Sequence, residues 1–107
     1  MRHNTKKTSY TIYMIDCKQK IKELIDNGNH TEAIRLLDEA IGQGDSSAED
    51  DELYYLRGNL YRKEGNWQLA LNNYLEAMAI NPESPANEAH RMLMDILEFY
   101  NKDMYNQ

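Results

Sequence analysis

The chain has 107 residues, enough for one modest hydrophobic core but not for a core plus a second, catalytic domain. Eighteen acidic residues against twelve basic leave a net charge of −6, which excludes a broad basic face for nucleic acid. Apolar residues make up 41% of the chain and include no Val, and with only five Gly and two Pro the composition favours helices over a sandwich or barrel.

Residues 1–13 are polar and basic, with a short alternation at Tyr10, Ile12 and Met14. They read as a flexible arm, with a short edge strand as the alternative. The helical pattern starts only at Met14, so a start at Met14 with 1–13 as an upstream extension is a second reading of this boundary. Met14, Cys17, Ile21, Leu24 and Ile25 then recur at three- and four-residue steps, which places them on one helix face. Gly28 stops that helix, and Asn29 caps the next with Glu32 as capping-box partner. The second helix carries Ala33, Ile34, Leu37, Ala40 and Ile41, and residues 42–47 form a loop. Ser46 or Ser47 caps the third helix, with Glu49 or Asp50 at the matching place. That helix runs to about Glu64 with Leu53, Tyr54, Leu56, Gly58, Leu60 and Tyr61. Gly65-Asn66 then repeats the stop and start of Gly28-Asn29. The fourth helix shows Trp67, Ala70, Leu71, Tyr74, Ala77, Met78 and Ile80 and ends at Asn81-Pro82. Ser84-Pro85 opens the last helix, whose core stripe is expected at Ala89, Met92, Leu93, Ile96, Leu97 and Tyr100, with Met94 off the stripe.

Catalytic and metal chemistry finds no purchase here. His3, His30 and His90 are scattered, and no His, Cys, Asp or Glu cluster has metal-ligand spacing. There is no nucleophile elbow and no phosphate loop, and Glu49-Asp50-Asp51-Glu52 reads as a solvated helix start. No active site, cofactor or metal is expected. Cys17 stands alone, so no intrachain disulfide is possible, and its place in the apolar pattern predicts a buried, inert thiol. No run approaches the ~18 apolar residues of a membrane span, and the N-terminus lacks the apolar stretch of a secretory signal. A cytoplasmic protein is the expectation.

Residues 28–33, Gly-Asn-His-Thr-Glu-Ala, align with residues 65–70, Gly-Asn-Trp-Gln-Leu-Ala. At the same offset Leu37 meets Tyr74, Glu39 meets Glu76, Ala40 meets Ala77 and Ile41 meets Met78. A helix pair recurring at this interval is the mark of an α-solenoid. The segment resembles the tetratricopeptide repeat family, whose pattern is met in order by Tyr54, Gly58, Tyr61, Ala70, Tyr74, Ala77 and Pro82, with Arg57 where Leu is usual and Leu56 beside it. Gly58 and Ala70 are small where the two helices approach, and Tyr54, Tyr61 and Tyr74 fill the space around that contact.

The resemblance implies an all-α α-solenoid of two repeats plus a C-terminal capping helix. Repeat 1 spans about 14–47, repeat 2 about 51–84 and the capping helix about 85–103, with 104–107 a frayed tail. In repeat 1, Cys17, Ile21 and Leu24 replace the first aromatic, the glycine and the tyrosine, and the closing proline is absent. The family's concave groove maps onto Lys18, Lys22, Tyr55, Asn59, Arg62, Lys63, His90, Arg91 and Met94. That set is net basic on an acidic chain and suits an acidic segment or a C-terminal carboxylate. In the arrangement by which some members grip chaperone tails, Lys18 matches, while Lys22 and Leu56 stand where asparagines are usual. The resemblance therefore implies a protein-interaction module, a scaffold or adaptor, with a protein or peptide partner and no nucleic acid or membrane. The alternative is structural: self-association as a homodimer or as a subunit of a larger complex, with Tyr100, Met104 and Tyr105 as contacts.

Overall fold

A computed structural model of the chain describes residues 15–42 and 50–105. The arm at 1–13, Met14, the caps expected at Ser46, Ser47 and Glu49, and residues 106–107 of the tail lie outside the described residues. Among the described residues there are five helices and no strand: α1 over residues 15–26, α2 His30–Gly42, α3 Asp51–Lys63, α4 Trp67–Ile80 and α5 Ala86–Tyr105. The expected helices are all present, and α5 continues two residues past 103. The chain divides into two compact units, Met1–Ala40 and Ile41–Gln107.

In the first unit α1 ends on Gly28 at φ 81°. Asn29 N–H donates to the Leu24 carbonyl at 2.8 Å and Gly28 N–H to that of Ile25 at 3.0 Å, the paired bonds of a Schellman cap. Ile21, Ala33 and Leu37 are fully buried and Ala40 nearly so. The capping box expected at Asn29 and Glu32 does not form. The Glu32 carboxylate instead takes the Arg35 guanidinium at 2.6 Å, because a charged partner one turn along outcompetes a neutral backbone N–H. Cys17 is half-buried rather than buried. Burial first, then the charges of Glu39 and Asp16, raise its thiol above the ordinary value against an opposing effect of Lys20. The group is thereby kept as thiol rather than reactive thiolate.

In the second unit α3 opens at Asp50, whose carboxylate accepts the Glu52 N–H at 3.1 Å. Asp50 is thus the cap itself rather than a partner of Ser46 or Ser47; aspartate caps as well as serine and adds a charge at the positive end of the helix. α3 closes as α1 does: Gly65 at φ 81°, Asn66 N–H to the Tyr61 carbonyl at 2.9 Å, Gly65 N–H to that of Arg62 at 3.0 Å. Asn66 then caps α4 by accepting from Leu69 N–H.

α3 lies against α4 at Gly58. A Cβ placed there would stand 2.8 Å from the Tyr74 ring, so the glycine is what admits the tyrosine. Ala70, Tyr74 and Ala77 are fully buried, with Tyr54 and Tyr61 packed around them. Arg57 takes the usual leucine position without a stranded charge. Its Nε donates to Asn73 Oδ1 at 2.7 Å and its guanidinium stacks 5.6 Å from the Tyr54 ring centroid.

Asn81 and Pro82 stop α4, Ser84 Oγ accepts the Ala86 N–H at 3.1 Å, and Asn87 Nδ2 donates back to the carbonyls of Pro82 and Ser84. This turn aims α5 along α4. Ala86 and Leu93 are buried there, with Ala89 and Leu97 packed beside them. Met92, Ile96 and Tyr100, expected in the core, are instead 53%, 44% and 60% exposed. Among the described helices α5 packs against one side of α4, and a helix covered on one side buries one narrow stripe.

Candidate binding groove

Tyr55, Asn59 and Arg62 recur at four- and three-residue steps, so they share one face of α3. Opposite them stand Pro85 and the α5 residues Glu88, Ala89, Met92, Leu93 and Ile96. The space between is an open groove of about 310 Å³, within the usual range for ligand sites. One wall is polar and carries the aromatic Tyr55. The other is mostly aliphatic.

α4 does not line the groove but supports its polar wall from behind. The Tyr74 hydroxyl donates to Asn59 Oδ1 at 2.5 Å and accepts from Arg62 Nε at 3.2 Å. The Tyr55 and Tyr74 rings lie 6.3 Å apart, tilted by 41°. Burial raises the Tyr74 phenol above its ordinary value, more than the nearby Arg62 lowers it, so the hydroxyl stays protonated and keeps both roles. Asn59 and Arg62 are thus oriented from behind, and the remaining guanidinium N–H groups and the Asn59 amide are left for the groove.

Of the nine candidate residues the structure brings together Tyr55, Asn59 and Arg62. Lys63 is exposed next to Arg62 but does not line the cavity, and neither do His90, which is half-buried, nor Met94, which is 45% exposed. Arg91 is held on its own helix by Glu88 and, at 3.1 Å, by Asp95. Its pull keeps the Glu88 carboxyl below the usual carboxylate range, through the hydrogen bond first and the charge second. Lys18, half-buried, and Lys22, exposed, are on α1 in the first unit.

The α5 wall was not expected. Ala89, Met92 and Ile96 follow each other at three- and four-residue steps on a face distinct from Ala86, Leu93 and Leu97, and that second spacing is the signal that marks them. A second, more open depression is lined by Arg57, Leu69, Asn72, Asn73, Leu75 and Glu76. Its buried amide, Asn73, is spent on Arg57 and the Leu69 carbonyl. Among the described residues no group of three His, Cys, Asp or Glu could hold a metal, and no helix is long and apolar enough to cross a membrane.

Helix pairs closed by the same glycine turn, a glycine-tyrosine contact inside the pair and a following helix define a helical-repeat protein. Comparison with known proteins agrees: the Tetratricopeptide repeat pattern matches residues 51–84. Bacteroides fragilis protein BF1650, solved by solution NMR, is 54% identical over 83% of this chain and 88% of its own, with a TM-score of 0.70. No curated protein matches. The chain belongs to the tetratricopeptide repeat family, whose members are in general non-catalytic scaffolds for protein–protein contact.

Proposed function

We propose that this chain is an adaptor that holds a partner segment in the groove between α3 and α5. The observation that carries the reading is Arg62. Its Nε is committed to the Tyr74 hydroxyl, and no carboxylate of the described residues pairs with its other N–H groups. A guanidinium held in place from behind, facing an aliphatic wall, suits a carboxylate next to an aliphatic side chain, whether an acidic residue or a C-terminus. Tyr55 supplies ring contact, Asn59 and Arg62 the polar grip, and Met92 and Ile96 the apolar surface. Arg91 acts indirectly by occupying Glu88, which would otherwise repel such a ligand. A local cation on a chain of net charge −6 also favours selectivity over general stickiness. The work is binding rather than catalysis, and a lone half-buried cysteine suits the reducing cytoplasm.

The test uses the purified chain as bait in lysate of its own source, wild type beside Asn59→Ala with Arg62→Ala, with mass spectrometry of what is retained. Both positions are outside the fully buried core, so the helical spectrum should be retained, at a stability cost of about 1–3 kcal/mol for the Tyr74 hydroxyl left without partners. A partner retained by wild type and lost by the double variant is expected. The same partners on both baits overturns the reading.

A further inference from the structure

α5 carries two apolar stripes. One, through Ala86, Leu93 and Leu97, is covered by its own chain. The other runs Ala89, Met92, Ile96, Phe99 at steps of three, four and three, the a/d spacing of a helix-pairing seam. Met92, Ile96 and Phe99 are 53%, 44% and 68% exposed, and Tyr100 beside them, ring to ring with Phe99 at 6.2 Å, is 60% exposed. Ala89, Met92 and Ile96 also form the aliphatic wall of the groove.

We propose that this face docks a second copy of the chain, α5 against α5 and antiparallel about a two-fold axis, with each Phe99 entering the groove of the other copy beside Ala89. The proposal rests on the reading of the groove as a docking surface and names one occupant for it. Two observations select that occupant. The seam is self-complementary in one direction only. Antiparallel pairing about position 94 sets Phe99, the largest member, opposite Ala89, the smallest, and Met92 opposite Ile96, whereas parallel pairing would oppose Phe99 to Phe99 and leave a gap between alanines. The place opposite Ala89 is the groove, which has room for one aromatic ring and sets the Arg62 guanidinium where a ring face can meet it.

The area is that of a weak contact. At these exposures the four side chains leave roughly 450 Å² open per copy, so two copies hide at most about 900 Å², below a standard-size interface and within the range of transient ones. An isologous contact of that size is reversible and competes with any segment entering the groove.

Sedimentation equilibrium of the full chain over a dilution series tests this directly. The mass should rise from one copy towards two as loading approaches the millimolar range. Phe99→Glu, at an exposed position, should keep the helical circular dichroism and weaken association at least tenfold. A single-copy mass at every loading overturns the proposal, and so does undiminished association of Phe99→Glu. The adaptor reading is scored separately on that monomeric variant. A short labelled peptide with an aliphatic residue beside C-terminal acidic residues is titrated into it with and without Asn59→Ala and Arg62→Ala. Either reading can thus fail without the other.

Discussion

Both hairpins turn on a glycine at φ 81°, Gly28 in the first repeat and Gly65 in the second, with the same pair of carbonyl bonds. Both bury alanines at matching places, Ala33 and Ala40 in one, Ala70 and Ala77 in the other. They differ in how the volume between those alanines is divided. The first repeat uses two mid-sized residues, Ile21 and Leu37. The second concentrates it in Tyr74 and leaves Gly58 empty. A repeat can thus keep its turn and its helix order while redistributing its core. Only the second distribution reaches the groove, because only a tyrosine carries a hydroxyl out of the core to Asn59 and Arg62.

Exchanging these residues breaks the comparison most severely. Gly58→Ile gives the second repeat the residue of the first, but its Cβ alone would lie 2.8 Å from the Tyr74 ring, so a loss of at least about 3 kcal/mol is expected in urea unfolding. Tyr74→Leu should cost about 2–3 kcal/mol through lost ring volume and the stranded polar groups above it. Combining Gly58→Ile with Tyr74→Leu should cost less than the sum of the two, since each removes the other's conflict; strict additivity would mean that the two residues do not share the space.

Tyr74→Phe isolates the hydroxyl. It should cost about 1–2 kcal/mol, and it should weaken capture of an acidic segment even though the substituted atom lies behind the groove wall. Unchanged affinity in a titration would remove the Tyr74 hydroxyl from the account of the site. The turns sharpen the likeness in turn. Gly28→Ala and Gly65→Ala meet no atom within 4 Å, so each should cost about 1 kcal/mol, from the positive φ alone, and by equal amounts. Unequal losses would show that one turn bears more than its local strain.

Most of this repeat architecture was legible because it depends on residue types that few others can replace. Gly65-Asn66, Gly58 opposite Tyr74, and Asn81-Pro82 each state a backbone or packing requirement outright. Tyr55, Asn59 and Arg62 were legible as a set because helical spacing puts them on one face. The α5 wall was misread because Met92 and Ile96 look like core to any periodicity argument. Apolarity says that a face avoids water and does not say which neighbour covers it. Arg91 stands apart from the cavity lining for a different reason: Glu88 and Asp95, three residues before and four after it, are partners readable from the spacing that keep it on its own helix.

The smallest stability effect and the sharpest functional contrast come from two matched ion clusters. Arg35 sits between Glu32 and Glu39, and Arg91 between Glu88 and Asp95, with identical spacing. All are exposed side chains, so neither Arg35→Ala nor Arg91→Ala should move the melting temperature appreciably at neutral pH. Each arginine holds its preceding glutamate below the ordinary carboxylate range, chiefly by hydrogen bonding. That small contribution is complete above the unfolded glutamate pKa of about 4.3 and is lost as pH falls through the lower folded value, so the two variants should differ from wild type less in acid than at neutrality. In binding they should part. Arg91→Ala releases a carboxylate on the wall of the groove and should weaken an acidic peptide several-fold, and more at low salt, while Arg35→Ala, in the first unit, leaves it untouched. Equal affinities for the two variants in a salt-dependent titration would separate Glu88 from the ligand and move the acidic segment elsewhere.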